Sequence, residues 1–227
     1  MNIKSLTTKS KVTHQTQNKF IQLLFSLTLC LFIIFASVKF TVLFKPLYYF
    51  DIGYLNIVET SDFSKAEIIE NYNYVIDYMG SPMEDDFSLP SIPYAKASQV
   101  HFHDVKKLFH LIDVLFIITG LISFIGVYFY MKNKSYAFLK WSSYMLLGLP
   151  SLLLVALVTN ADSAFTIFHK IFFRNDYWVL SSKTDPIIDI MPQEFFYHAA
   201  ILIGGIIILF FILFRIIYRI KLFNTKP

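Results

Sequence analysis

A single cysteine, Cys30, occurs in 227 residues, which excludes a disulfide framework, a cysteine-rich zinc site and a CxxC redox pair. Charge is also scarce: Asp, Glu, Lys and Arg make up 16% of the chain, against about a quarter in ordinary soluble domains. A soluble globular fold is therefore a poor reading. Only seven glycines are present, and they form neither a Walker A loop nor a dinucleotide-binding pattern. GxSxG and SxxK, which mark common serine nucleophiles, are missing too. If the chain is an enzyme, it activates water or a nucleophile that its substrate brings.

Apolar residues are abundant instead, at 56% hydrophobic and 18% aromatic, with a mean hydropathy of +0.54. Most of them fall in four runs, at about 20–44, 108–130, 141–159 and 195–214. Each run is long enough as a helix to cross roughly 30 Å of hydrocarbon. The chain is predicted to be an all-α polytopic membrane protein with four transmembrane helices in a single membrane domain. Cys30 lies inside the first run, where it reads as a small buried hydrophobe. Lys39, near the end of that run, is expected to snorkel. Asp113 is the one carboxylate within a span and so a functional candidate by default; the bland alternative is that it pairs with His110, one turn before it, or reaches interfacial water.

Four spans put both termini on one side. The first 19 residues hold Lys4, Lys9, Lys11 and Lys19, the link between the second and third spans holds Lys132, Lys134 and Lys140, and the C-terminal tail holds Arg215, Arg219, Lys221 and Lys226. Those segments contain no Asp or Glu, whereas 15 of the 16 acidic residues fall in segments 45–107 and 160–194. The positive-inside rule places both termini in the cytoplasm. The net charge of +4 reflects that topology and gives no support to a nucleic-acid partner. Residues 1–40 also invite a signal-peptide reading. The apolar run is too long for a signal h-region and no small-x-small site follows it, so a retained helix is expected. Leu27-Thr28-Leu29-Cys30 is a poor lipoprotein cleavage site, because a large Leu precedes the Cys.

The remaining 45–107 and 160–194 form an extracytoplasmic head of two long loops, rich in Tyr, Phe and Ile rather than in the residues of disorder. In the first, Ile68, Tyr72, Val75, Ile76 and Met79 recur at helical spacing after a start signal at Asp62 or Ser64. Gly80-Ser81-Pro82 ends the pattern, and the proline-rich stretch around Glu84-Asp85-Asp86 reads as an irregular loop. In the second, Phe165, Phe168, Ile171, Phe172 and Phe173 form a short apolar face followed by Tyr177 and Trp178, which suits the headgroup level. Pro192 and Glu194 fit the first turn of the last span.

Apart from His14, every histidine falls in or beside the head: His101, His103, His110, His169 and His198. The topology brings His101, before the second span, and His169, after the third, to the same leaflet. Ser98 reads as the N-cap of the second helix, with Asp104 on the face of His101 one turn further. A helix start disfavours an imidazolium and a carboxylate favours it, leaving a neutral base that can be oriented. The bland alternative is that His101 and His103 are polar residues at a wet helix start. As a metal site, His101, His103 and His169 are a poor set, because positions i and i+2 on a helix do not share a face.

The segments His101-Phe102-His103-Asp104-Val105-Lys106, Phe168-His169-Lys170-Ile171-Phe172-Phe173, Asn175-Asp176-Tyr177-Trp178-Val179-Leu180 and 185–192 resemble a known family. It is the four-helix integral membrane family of Gram-positive bacteria that includes the lipoprotein intramolecular transacylase. The likeness runs through most of the chain and is densest in 98–110 and 165–196. It implies an acyltransferase that moves the sn-2 acyl chain of a diacylglyceryl-cysteine onto that cysteine's own α-amino group, giving a lyso-form lipoprotein. His101 matches the family's first histidine and His169 its second, whereas His103 falls where the pattern varies. Implied partners are a diacylglyceryl lipoprotein and membrane lipid, with no cofactor and no metal. Asp104, Arg174, Tyr177 and Trp178 are candidates to orient a histidine or stabilise an oxyanion. Interfacial anchoring is an equally good reading of Tyr177 and Trp178. Two rival functions stay open on the sequence: a noncatalytic envelope sensor or assembly protein, and a membrane lipid hydrolase.

The orientation has a direct test. Single cysteines replacing Ser61 or Ser182 should react with a membrane-impermeant thiol reagent applied to intact cells, and one replacing Asn133 should not; external labelling at position 133 would invert the topology.

Overall fold

The computed structural model describes residues 3–82 and 86–223, with side chains from Lys19 onward except those of 152–154 and 156–158. The elements in order are α1 (Ile3–Leu43), α2 (Lys45–Tyr54), α3 (Ile57–Thr60), α4 (Lys65–Gly80), α5 (Lys96–Lys132), α6 (Ala137–Thr159), α7 (Ala161–Phe172), α8 (Ile187–Ile190) and α9 (Gln193–Phe223). No strand occurs among the described residues. Lys19–Leu43, α5 and α9 are each long and apolar enough to cross a membrane. The 23-residue α6 packs with α1 and α9 in the same bundle. Of the acidic run at 84–86, Glu84 and Asp85 lie outside the described residues.

The bundle core joins Phe25, Leu29, Cys30 and Ile33 of α1 to Phe138, Leu139 and Leu146 of α6 and to Ile207 and Phe214 of α9. Lipid tails are as apolar as these side chains, so close packing and hydrogen bonds must hold the helices together. Small hydroxyls allow both. The buried Ser26 Oγ donates to the Gln22 carbonyl at 2.7 Å, and Ser142 Oγ donates to the Ser26 carbonyl at 3.0 Å, tying α6 to α1. Gly126 does the same for α5: a Cβ there would sit 2.0 Å from Phe25 Cε2. In its absence the Phe25 ring stacks on Tyr130 at 4.8 Å and meets Phe138 at 5.4 Å.

Lys39 and Asp113 do not behave as expected. Instead of snorkelling, Lys39 forms an ion pair with Asp113 across the α1–α5 interface. Asp113 therefore does not pair with His110, whose Nε2 lies 3.0 Å from the Ser81 carbonyl. The reason is register, since the packing of α1 on α5 brings the two side chains face to face, and an ion pair lowers the cost of charge within an apolar segment.

The head has a core of its own. Ser64 caps α4 through a capping box with Glu67, and the face predicted from periodicity is buried: Ile68, Tyr72, Val75 and Met79 are inside, with Ile76 packed at the edge. Tyr48 of α2 stacks on Tyr72, and its hydroxyl donates to the Ile190 carbonyl at 2.6 Å. Buried Asn71 pins the loop after α4, donating to Ser91 Oγ at 2.7 Å. Phe102 of α5 stacks on Phe87 at 4.6 Å, and Phe195 of α9 enters the same cluster. Because two bundle helices supply core residues to the head, head and bundle are one body. At 37 residues α5 is about 55 Å long, and it carries the head's register straight into the apolar region.

Gly126→Ala should force the Phe25 ring away from its two aromatic partners. Overpacking of this kind costs about 1–3 kcal/mol, so the variant should unfold at a lower temperature in detergent; an unchanged Tm would show that Phe25 can move freely.

Candidate active site

α5 begins at Lys96, well before the apolar stretch that starts near 108, and its first three turns are polar. Ser98 is not the N-cap. Ala95 holds that position without a side-chain cap, and the helix start is satisfied from a distant loop. Asp185 Oδ1 accepts the amides of Ala95 at 2.9 Å and Ser98 at 3.3 Å, while Oδ2 accepts the Thr184 hydroxyl at 2.6 Å. Burial pushes the Asp185 carboxyl up, but the Ser98 and Thr184 hydroxyls and those amides hold it below the ordinary range. The carboxylate also complements the positive end of the helix. This long-range cap brings segment 181–190 against the start of α5, and with it the segment that follows α7.

α7 is itself capped by Asn160, whose side chain accepts the Ser163 amide at 2.8 Å. Two helical turns after its first turn comes His169, which is buried at 7% exposure. Gln193 and Tyr197 of α9 donate to Asp162 at 2.7 and 3.1 Å and fix the start of α7. The His169 ring is enclosed by Phe165 at 4.2 Å and stacks on Trp178 at 4.8 Å. His101 lies 5.8 Å from it, centre to centre, with Phe173 edge-on to His101 at 5.2 Å. Histidines 68 positions apart are thus neighbours in an aromatic pocket.

His169 Nδ1 lies 2.7 Å from the Phe165 carbonyl, an oxygen that can only accept. Nδ1 must therefore carry the proton, and Nε2 presents a lone pair. Burial lowers the His169 pKa, and the bond to the Phe165 carbonyl partly opposes it. His101 falls further, to about 4, through burial first and then the neighbouring imidazole, against the opposing charge of Asp104. The neutral state expected for His101 is present, but burial causes it more than the helix start does. Repulsion between the rings means that the pair can hold one added proton far more readily than two.

The remaining candidates occupy varied positions. Asp104 accepts from Asn175 Nδ2 at 2.9 Å and from Lys107 Nζ at 3.3 Å, so it reaches His101 by charge and not by a hydrogen bond. Trp178 is a wall of the pocket. Tyr177 is 45% exposed, with its amide bonded to Asn175 Oδ1, and Arg174 is exposed. His103 is half-buried away from the pair, and His198 belongs elsewhere, with Nδ1 2.8 Å from the buried Asp51. Asn175 and Asp185 fall in segments that carry the family resemblance, but nothing in the sequence gives either of them a role. Asparagine and aspartate beside Pro186 and Tyr177 look like ordinary loop residues, and only the fold shows what they hold.

Fold and geometry together define a polytopic helical membrane protein with a pair of neutral imidazoles where its head meets the bundle. The sequence model of the lipoprotein intramolecular transacylase Lit family matches residues 23–196. The in meso structure of the membrane-integral lipoprotein intramolecular transacylase Lit from Bacillus cereus has a TM-score of 0.87 and 34% identity, covering 92% of this chain and 98% of that one. A form of the same protein with a histidine replaced by arginine gives 0.85 and 32%, covering 96% of this chain and 97% of that one. A form with a histidine replaced by alanine gives 0.83 and 32%, covering 95% and 98%. A comparison with curated protein sequences gave no match. The chain belongs to the lipoprotein intramolecular transacylase Lit family, and is thus a membrane-integral acyltransferase.

With both pKa values depressed, the pair stays neutral from alkaline pH down through the ordinary imidazole value of 6.5, and the acid limb of activity should lie below it. Trp178→Ala would admit water to His169, raise its pKa toward the ordinary value and move that limb upward. A pH profile of the purified protein checks this; an unmoved limb would assign the desolvation to Phe165 instead.

Proposed function

We propose that this chain catalyses intramolecular O-to-N acyl transfer at the outer leaflet, with His169 as general base and His101 as its electrostatic partner. The substrate is a diacylglyceryl lipoprotein. The amino nitrogen of its N-terminal cysteine attacks the carbonyl carbon of the sn-2 ester, the amide C–N bond forms, and the ester C–O bond breaks. The proton lost by the amine ends on the sn-2 oxygen, giving a glyceryl hydroxyl and the N-acylated lyso form. Atoms and charge balance within one molecule, so neither cofactor nor second substrate enters.

The observation that carries the reading is the fixed tautomer of His169. With Nδ1–H committed to the Phe165 carbonyl, Nε2 is the atom able to take the proton of the amine and return it to the departing oxygen. His101, neutral and within the same pocket, can donate its ring N–H to the developing oxyanion. Tethering of amine and ester supplies a high effective molarity, which explains why positioning can replace a protein nucleophile. Arg174, which is exposed, and Tyr177 are the further candidates to stabilise the developing oxyanion and to protonate the departing sn-2 oxygen. Asp104 acts on His101 through its field, and through Asn175 it holds the turn that carries Tyr177 and Trp178.

The same reading takes four spans, close to 20–44, 108–130, 141–159 and 195–214, a head from 45–107 and 160–194, and both termini in the cytoplasm. Its support is the exclusion of acids from the three basic segments. An ester at the outer leaflet then lies at the depth of the histidines.

His101→Ala and His169→Ala should each lower the rate by about 10²–10⁴, the usual worth of a positioned acid–base group, and Asp104→Asn by less. Mass spectrometry of lipoprotein N-termini from cells expressing each variant reads this as near-loss of the lyso form. Wild-type amounts of product from both alanine variants, folded in the membrane, would make the two histidines structural; no lyso form from cells expressing the unaltered chain would make it a noncatalytic relative, and release of free fatty acid in place of the amide would make it a hydrolase.

A further inference from the structure

The end of the bundle opposite the histidines carries cations with no acid to answer them. Positions 1–50, 114–161 and 195–227 contain no Asp or Glu, so Lys140, Arg215 and Arg219 have no carboxylate side chain at their end of the molecule. α6 and α9 run antiparallel there. The Arg215 guanidinium lies 4.9 Å from the centre of the Tyr144 ring, and nearer the bundle end Lys221 Nζ lies 5.8 Å from that of Tyr136. Lys140 is one turn from Tyr144 on α6, and Arg219 one turn from Arg215 on α9, so both fall on the rows that these contacts define. Lys140 Nζ is 5.5 Å from the Trp141 ring, which meets Tyr144 edge-on at 6.3 Å. Lys140 and Arg215 therefore flank a Trp–Tyr pair, with Arg219 one turn further along α9, and rings of this kind favour the headgroup region.

Arg215 is the informative member. Its charge cannot be shed by deprotonation, and its Nη1 is buried without a hydrogen-bond acceptor among the described residues. The Tyr144 ring attracts the cation but offers no in-plane acceptor to that N–H. An intramembrane charge elsewhere in the bundle, Lys39, is answered by Asp113. Arg215 is answered by no carboxylate among the described residues.

We propose that the α6–α9 cleft at this end binds the phosphodiester headgroup of an anionic glycerophospholipid. The two non-ester oxygens of a phosphodiester match the guanidinium fork of Arg215, and Lys140 and Arg219 complete the neutralisation. A zwitterionic lipid carries the same phosphate but brings its own cation, so the site selects by net charge. Only the naming of the leaflet, the inner one, rests on the orientation proposed above; the site itself is independent of the acyl-transfer reading.

Native mass spectrometry of the delipidated full chain in detergent, titrated with phosphatidylglycerol or phosphatidylcholine of identical acyl chains, tests it. Phosphatidylglycerol should bind about tenfold more tightly, the scale expected when one or two cations near a membrane surface gain an anionic partner. Arg219→Gln, at an exposed position, should reduce that preference, and the combined Lys140→Gln, Arg215→Gln and Arg219→Gln variant should abolish it while transacylase activity persists. Inorganic phosphate in tenfold excess should leave the lipid bound. Equal affinity for the two lipids, displacement by inorganic phosphate, or an undiminished preference in the triple variant would each overturn the proposal. If the triple variant does not fold, Arg219→Gln decides alone, and an unchanged preference there overturns it.

Discussion

The carboxylate of Asp185 holds the start of α5 from 90 positions away, and the geometry of the pocket depends on that contact. A helix start leaves amides unpaired, and here no residue of the preceding segment supplies a side-chain cap. A distant aspartate does so, and a buried anion at a helix start contributes up to about 2 kcal/mol through the dipole. The energy matters less than the direction it imposes. With segment 181–190 fixed to the first turn of α5, the chain from Phe173 to Leu180 must run across the face that carries His101. Trp178 is thereby laid on His169, and Asn175 is brought to Asp104. The polar clamp of Asp162 by Gln193 and Tyr197 fixes the other end of α7. A site assembled from loops is thus given the rigidity of two capped helices.

Within that frame the chemistry follows from where water is excluded. An imidazole in water is half-protonated near pH 6.5 and makes a base of moderate strength. Enclosed by Phe165, Phe173 and Trp178, the two rings stay neutral at physiological pH. A neutral pair has one tautomer choice to make at each ring, and the Phe165 carbonyl makes it for His169. The substrate's amine, with an ordinary pKa of about 8, then meets a lone pair of fixed direction and not a solvated cation. Hydrophobic walls are accordingly part of the acid–base apparatus.

The sequence made some of this legible and concealed the rest for identifiable reasons. Periodicity located α4 and its buried face, because a capping box and a Gly-Ser-Pro stop are local signals. Run length located the long apolar helices, and placing both loops at one end of them was enough to suggest that His101 and His169 meet. The N-cap of α5 lies three residues before Ser98, the local signal, because the group that satisfies it is not local. In the sequence Lys39 and Asp113 are separate anomalies, since nothing in a linear pattern says that position 39 of one helix meets 113 of another. Likewise, the coupling of Asp104 to Asn175 required the fold: an Asp at i+3 from a histidine suggests a local partner, and the competing amide lies 71 positions away.

The Lys39–Asp113 pair also bears on how the molecule reaches its membrane. On translocon-derived scales, a lone charge at a helix centre costs about 2.5–3.5 kcal/mol on insertion, and less near a helix end. α1 carries the cation and α5 the anion, with the whole first half of the head between them in the chain. Each helix is thus a better lipid-soluble unit in the other's company than alone. During biogenesis the first span gains its counter-ion only after residues 45–107 have been synthesised, so a settled α1–α5 pair can form only once the segment that carries His101 has been made.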